Sequence, residues 1–178
     1  MRKQNRRLLI KTGVICLFFA LILSCGYGFA PKGDYIDKRI QNIYVEAFDN
    51  KTSQASIENY VRTAFIDQIL QNSRFKTVSS VEAADAIIKG SVVNINTSPL
   101  SYRANTLVAE ERTTVIVEIN FREKESGKTI WNSKNVTGTV DYKMENNIDI
   151  YPATRKNAFI KLSNDTAEKA FNMMMSGF

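Results

Sequence analysis

The stretch Leu107–Glu123, LVAEERTTVIVEINFRE, decides the fold because its side chains alternate in polarity along most of its length. A two-residue period places every second side chain on the same face of a β-strand, and it is hard to reconcile with the 3.6-residue repeat of a helix. We therefore predict a long strand with one buried face. The residues predicted to point inward are Thr113, Val115, Val117, Ile119 and Phe121.

Further strand patterns lie on both sides of this stretch. Ile40–Phe48 alternates in the same way, and Ala86–Ile95 and Thr129–Tyr142 are further long strand candidates. Phe75–Val78 is a short one. Residues 96–105 contain a proline between two strand patterns, so we predict an exposed hairpin tip there.

Two segments have the periodicity of helices. After the polar turn Asp49–Ser53, Ser56 can cap a helix whose apolar residues recur at three- and four-residue steps until Asn72. A second helix begins after Pro152 and continues to about Met175. The chain is therefore predicted to be α+β, a two-layer sandwich with two helices packed on one face of a mixed, mostly antiparallel four-stranded sheet.

The N-terminal segment has the layout of an export signal. Five cations and no acidic residue accompany an apolar run that ends at Leu23, too short to be a stable membrane span. Cys25 directly follows the small residue Ser24, which is where a lipoprotein signal peptidase cuts once the cysteine has been diacylated. The alternative is an uncleaved signal anchor with an incidental cysteine at its end.

We therefore expect residues 1–24 to be a removed lipoprotein signal peptide, residues 25–39 a lipidated tether and residues 40–178 a single α+β domain. No cofactor is expected beyond the N-acyl and S-diacylglycerol groups on Cys25, which would tie the protein to a membrane without spanning it. Gly26 stands where an aspartate would favour inner-membrane retention, so the outer membrane is the expected location.

Composition argues against several classes of function. The chain has 24 Lys+Arg and 18 Asp+Glu, but five of the cations lie in the signal, so the mature chain is nearly neutral. It therefore lacks the excess of positive charge that is typical of proteins that bind nucleic acid. There is no histidine, and no free thiol survives export, so the usual proton shuttle and nucleophile are missing. We predict no enzymatic activity, no catalytic residue and no metal site, with a Ser–Lys arrangement left open. Glu110, Glu111 and Arg112 are interpreted as the solvated base of a strand.

Several short motifs follow one another in order along the mature chain. They are Cys25-Gly26-Tyr27-Gly28-Phe29, Phe48-Asp49-Asn50-Lys51-Thr52, Ile57-Glu58-Asn59-Tyr60, Ala64-Phe65-Ile66-Asp67, Asn72-Ser73-Arg74-Phe75, Ala84–Val92, Ser98–Tyr102 and Glu125–Trp131. No single motif is specific, but by their order and spacing the chain resembles the lipopolysaccharide-assembly lipoproteins, the LptE family.

The resemblance implies a partner and a role. Members of this family sit as a plug inside the large outer-membrane β-barrel LptD, help it to assemble, and bind lipopolysaccharide on its way to the outer leaflet. It also implies two helices on a four-stranded sheet, in agreement with the periodicity. The competing hypothesis is an envelope lipoprotein that binds another periplasmic or outer-membrane complex, again without catalysis.

The resemblance also implies candidate site residues around the predicted hairpin tip. Arg103 matches by position a basic residue that the family uses to contact lipopolysaccharide, and a guanidinium can bind phosphate or carboxylate bidentately. Lys143, at the start of another loop, would add a second cation. Leu100 and Tyr102 would contact the barrel wall, since aromatic residues are favoured interface anchors. The alternatives are ordinary solvated cations and side chains that pack across their own hairpin.

Overall fold

A computed structural model describes residues 35–71, 74–102, 108–144 and 149–177. Within these residues the chain forms six strands and two helices, which confirms the predicted α+β class and both helices. In chain order the elements are β1 (Asn42–Val45), β2 (Asp49–Asn50), α1 (Ile57–Gln71), β3 (Lys76–Thr77), β4 (Ala86–Tyr102), β5 (Val108–Glu123), β6 (Thr129–Lys143) and α2 (Tyr151–Ser176).

The strands form one mixed sheet in the order β3-β1-β4-β5-β6, and β2 pairs with β4 beyond the end of β1. The three long strands β4, β5 and β6 are antiparallel neighbours, whereas β1 lies parallel to both β3 and β4. The predicted count of four strands is wrong, because β2 and β3 add two short parallel strands. Strand β3 lies within the short strand predicted at Phe75–Val78, so that prediction is confirmed. Strand β2 has only two residues, too few to show a period, and falls within a segment whose composition indicates a turn.

Strand β4 is longer than the sequence indicates. It continues past Ile95 to Tyr102, which pairs with Val108 on β5. The prediction of a loop is therefore wrong over residues 96–102, while residues 103–107 lie outside the described part of the chain. The polar composition of this segment resembles a turn, but the ladder to β5 holds it extended, with register irregularities on both sides of Ser101.

The core lies between the helices and one face of the sheet. All five β5 residues predicted to point inward are buried, none of them more than 2% exposed, so that prediction is confirmed. The intervening β5 positions from Thr114 to Arg122 are half-buried and belong to the opposite face, called here the open face. Helix α1 packs beside α2, and α2 covers β6. Apolar burial between these layers is the main term that stabilises the domain.

The ends of the helices differ in detail from the prediction. Ser56 has a φ of 65°, and its carbonyl oxygen accepts hydrogen bonds from the backbone N–H groups of Asn59 and Tyr60 at 3.2 and 3.3 Å. Helix α2 begins at Tyr151 and includes Pro152 in its first turn, where a missing N–H costs nothing. It ends at Gly177, whose φ of 80° suits glycine.

The chain before β1 also contributes to the core. Ile36 is fully buried, and the hydroxyl of Tyr35 donates a hydrogen bond to the carbonyl oxygen of Met174 near the end of α2. In the described part of the chain, neither helix combines the length and the apolar character needed to cross a membrane.

Candidate functional site

Three of the predicted site residues, Leu100, Tyr102 and Lys143, lie at one end of the sheet, where β4 and β6 end and α2 begins. We call this end the tip and define it by residues 100–102, 108–111, 142–144 and 150–151. Here the register sets Ser101 of β4 and Lys143 of β6 on either side of Glu110 of β5. The Ser101 hydroxyl donates a hydrogen bond of 3.2 Å to the Glu110 carboxylate.

The structure brings three of the predicted site residues to the tip. Lys143 is exposed and lies opposite Glu110 in the β5–β6 ladder. Leu100 and Tyr102 are 41% and 63% exposed, although both are large and apolar or aromatic. Arg103 follows Tyr102 directly but lies outside the described residues, as does Cys25.

A buried hydrogen-bond pair supports the tip from the helix side of the sheet. The Tyr142 hydroxyl donates a hydrogen bond of 2.7 Å to Oε2 of Glu111, and the Tyr151 hydroxyl lies 3.4 Å from the same oxygen. Burial raises the pKa of Tyr142 to about 12, and its hydrogen bond to the Glu111 carboxylate acts in the same direction. Because Tyr151 opens α2, these bonds join β5, β6 and the start of the helix. The predicted base of the strand is therefore partly a structural anchor, since Glu111 points to the helix side.

The sequence analysis missed one tip residue, Ile150. It immediately precedes α2 and is 49% exposed, so Leu100, Tyr102 and Ile150 are three exposed large side chains at the same end of the sheet. We call them the tip patch. The available signal was one of two isoleucines in a mostly polar loop, which periodicity does not detect because the loop has no repeat. Exposed apolar residues gathered at one place are typical of a contact surface.

The open face of the sheet is polar, and opposite charges pair across it. Arg112 and Asp141 form a bidentate ion pair in which both N–O distances are 2.7 Å. The Arg112 guanidinium holds the pKa of Asp141 below its ordinary value through hydrogen bonds and charge. Arg122 pairs with Glu46 at 3.7 Å. Such a face suits contact with a polar, hydrated surface more than burial in lipid.

Two carboxylates at the β5–β6 turn, which could in principle act as an acid–base pair, have ordinary structural surroundings. Glu123 accepts a hydrogen bond from Ser126 in the β5–β6 turn, and Glu125 is exposed in the same turn. Among the described residues, no group of three His, Cys, Asp or Glu side chains is close enough to hold a metal ion.

Comparison with known proteins adds a family and a set of similar folds. The family model described as LptE, lipopolysaccharide-assembly, matches residues 40–174. No curated protein matches the sequence. Among solved structures, an uncharacterized lipoprotein B from Nitrosomonas europaea superposes with a TM-score of 0.54 at 14% identity, covering 84% of this chain and 92% of that one.

Two further solved structures have similar folds. The hypothetical protein CT253 from Chlamydia trachomatis gives a TM-score of 0.51 at 5% identity, covering 78% of this chain and 99% of its own. A lipoprotein from Caulobacter crescentus CB15 gives 0.50 at 10% identity, covering 74% and 88%. At these identities the likeness shows a shared fold.

Proposed function

Because the chain belongs to the LptE family of lipopolysaccharide-assembly lipoproteins, we propose that it plugs the lumen of an outer-membrane β-barrel of the LptD type. In this role it assists the assembly of the barrel and binds lipopolysaccharide during delivery to the outer leaflet. The family is one of non-enzymatic accessory lipoproteins of the Gram-negative envelope. The outer-membrane location, the barrel and the ligand are the parts that need testing.

The observation that carries this proposal is the extent of the family match. Residues 40–174 begin just before β1 and end in the last turn of α2, so the match spans all six strands and nearly all of both helices. A match of this extent concerns the whole domain, and a shared short motif could not produce it. The predicted cleavage before Cys25 fits the same conclusion, since it would give a lipid-anchored protein.

The surfaces of the domain suit a plug. A barrel lumen is polar, and the open face presents paired charges such as Arg112 with Asp141 rather than an apolar sheet. The tip patch supplies the exposed Leu100, Tyr102 and Ile150 for local contacts with the barrel wall. Lipid on Cys25 would hold the domain at the inner leaflet while the tip projects into the lumen.

Binding of lipopolysaccharide is proposed for the basic residues at the tip. Lys143 is exposed at the end of β6, and Arg103 comes directly after Tyr102 at the end of β4. Two cations at one end of the sheet would make a two-point site for the phosphates and carboxylates of lipid A and inner-core sugars. Glu110 lies opposite Lys143 in the β5–β6 pairing, and its carboxylate would repel an anionic ligand. Both cations would therefore be needed to bind that ligand.

The test begins with a mild-detergent pull-down of the full-length, lipidated protein from its own outer membrane, followed by mass identification of what remains after stringent washing. We expect a large β-barrel protein to be recovered in an amount equimolar with the lipoprotein. Recovery of the protein alone, or with a periplasmic complex and no barrel, would contradict the plug and favour a lipoprotein of another envelope complex. The Cys25→Ala variant should lose membrane attachment in the same preparation.

Lipopolysaccharide binding is then tested by charge reversal. Arg103→Asp is expected to weaken binding at least tenfold, and Lys143→Asp to weaken it less. The matched control is Lys128→Asp, because Lys128 is an exposed lysine in the β5–β6 turn at the opposite end of the sheet. Equal affinities of Arg103→Asp and the control would contradict a role for the tip in ligand binding.

A further inference from the structure

A second candidate site lies on the open face, away from the tip. It is a cleft of about 340 Å³ between the strand β2 region, the middle of β4 and β5, and the first half of β6. Glu118, in its wall, is eight residues along β5 from Glu110, a separation of roughly 27 Å at the rise of an extended strand. The cleft is therefore distinct from the tip.

Irregular strand pairing borders the cleft on both sides of Glu118. In the β4–β5 pairing, the register shifts between Val92 and Asn94 of β4. In the β5–β6 pairing, it shifts between Val117, which pairs with Val136, and Ile119, which pairs with Ser133. Each shift leaves an extra residue that bends its strand and redirects side chains. Lys134 lies in the second of these bulges and lines the cleft.

A buried hydroxyl without a partner lies in the cleft. Ser91 is 7% exposed, and its Oγ has no hydrogen-bond partner among the described residues. Strand alternation puts Ser91 on the open face, because a Cβ at the neighbouring Gly90 would meet the Phe48 ring on the helix side. An unsatisfied buried hydroxyl is costly, and binding of an acceptor in the cleft would remove that cost.

Cations outnumber carboxylates around this hydroxyl. Lys51 is paired with Glu118 at 3.4 Å, while Lys89 and Lys134 make no ion pair with any described residue. Asp49 is the remaining carboxylate of the wall, which leaves three lysines against two acids. Two lysines without an ion pair line the same cleft as an unsatisfied hydroxyl, and this combination suits an anionic oxygen group.

The same wall can also bind neutral hydroxyl groups. Asn120 and Asn132 face each other across β5 and β6 and line the cleft, and each amide offers both a donor and an acceptor. Together with the carboxylates of Asp49 and Glu118, they suit a ligand rich in hydroxyls. The volume is in the range of small-molecule sites.

We propose that this cleft binds a phosphorylated sugar, with Lys89, Lys134 and Ser91 on the phosphate and the asparagines on the ring hydroxyls. The ligand could be a free sugar phosphate or the phosphorylated sugar of a glycolipid. In the second case the site would be a further lipopolysaccharide subsite, and that reading rests on the proposed function.

The test uses the full-length, lipidated protein in mild detergent and isothermal titration with glucose 1-phosphate. Saturable binding is expected, and unphosphorylated glucose should bind at least tenfold more weakly. The double variant Lys89→Gln/Lys134→Gln should weaken binding at least tenfold, whereas Lys128→Gln, outside the cleft, should leave it unchanged. No saturable binding, or equal binding by both variants, would overturn the proposal.

Ser91→Ala separates ligand binding from folding. Because this substitution removes an unsatisfied hydroxyl, the melting temperature should be unchanged or raised. The affinity for glucose 1-phosphate, however, should fall several-fold. Loss of stability without loss of affinity would overturn the role given to Ser91. Displacement of bound glucose 1-phosphate by purified lipopolysaccharide would identify the glycolipid as the source, and failure to displace it would identify the free sugar phosphate.

The two proposals can fail separately. The Lys89→Gln/Lys134→Gln variant should still co-purify with the barrel, because the tip patch is unchanged. Loss of sugar phosphate binding with the barrel retained is the result expected for these substitutions. A wild-type protein that retains the barrel but does not bind glucose 1-phosphate would overturn the cleft alone. One that binds glucose 1-phosphate but recovers no barrel would overturn the plug alone.

Discussion

Gly138 on β6 lies directly beneath Thr166 on α2, so closely that a Cβ at Gly138 would overlap the threonine hydroxyl. Thr166 is fully buried, and its hydroxyl donates a hydrogen bond of 2.6 Å to the carbonyl oxygen of Leu162 within the helix. The absence of a side chain at Gly138 therefore sets how near α2 approaches the sheet.

Replacing Gly138 with alanine should lower the free energy of unfolding by about 1–3 kcal/mol, because the added methyl group overpacks the helix–sheet interface. Denaturant unfolding followed by far-ultraviolet circular dichroism measures the change. The control is the same substitution in a Thr166→Ala background, where the clashing oxygen is gone. The cost should shrink there without vanishing, since the Cβ of residue 166 and Leu162 Cδ1 would still lie 3.1 and 3.3 Å from the new Cβ. An unchanged cost would contradict this contact.

The sequence predicts the long strands and the short β3 but not β2, for a physical reason. In β5 the alternation extends over enough residues for burial of one face to determine the residue types, and its inward set is correct. Strand β2 is fixed instead by backbone pairing with β4, which leaves no pattern in two exposed residues. The outer part of β4 is mostly exposed, so pairing with β5 rather than burial keeps it extended.

The candidate sites show a similar division. Leu100, Tyr102 and Lys143 could be named in advance because the resemblance to a family assigned a role to their region. The cleft could not, since Lys51, Lys89 and Lys134 come from distant parts of the sequence and meet only through the parallel pairing of β2 and the bulge in β6. Ser91 in particular resembles an ordinary strand residue until its burial is known.

Asp85, which immediately precedes β4, binds the start of β1 and should make stability depend on pH. Its Oδ2 accepts hydrogen bonds from the backbone N–H groups of Asn42 at 2.8 Å and Gln41 at 3.0 Å. These bonds hold the pKa of Asp85 below its ordinary value of 3.8. A carboxyl with a lowered pKa stabilises the fold above the unfolded-state pKa, and this contribution is lost as the pH falls through the folded-state value.

Asp85→Asn should therefore reduce the free energy of unfolding at pH 7 by about 1 kcal/mol, the usual scale for hydrogen bonds to a partly exposed group. The difference from the wild-type protein should narrow as the pH falls below 4. Urea unfolding at pH 7, 5 and 3 provides the comparison. Asp67→Asn on the exposed side of α1 is the control. A difference that stays constant across this range would show that the charge of Asp85 is not involved.

Tyr142 should titrate later than a free tyrosine. Its pKa is raised to about 12 by burial and by the Glu111 carboxylate, so its contribution to stability is complete below pH 10 and is lost as the pH rises through about 12. In the tyrosinate absorbance titration, Tyr142→Phe should remove one late-titrating group. Burial also raises the pKa of Tyr35, so the difference between the wild-type and variant curves is the informative quantity.

Two results bear on this assignment. Tyr102→Phe, which removes the hydroxyl of an exposed tyrosine, is the matched control for the loss of one tyrosine. If Tyr142→Phe leaves the absorbance change near pH 12 in place, Tyr142 is not the group that titrates late. The same variant should start unfolding at lower denaturant concentration at pH 7, because Glu111 keeps only the longer contact to Tyr151.

The tip patch should be needed for binding to the barrel but not for folding. Tyr102 and Ile150 are 63% and 49% exposed, so Tyr102→Asp/Ile150→Asp should change the free energy of unfolding by only about 0.5 kcal/mol. An aspartate placed against an interface would be desolvated without a partner, and retention of the barrel in the pull-down should fall at least tenfold. Leu70→Asp is the matched control, because Leu70 is 61% exposed at the far end of α1. Equal loss of the barrel in both variants would mean that added charge, and not the tip, causes it, and full retention in the tip variant would exclude the patch from the interface.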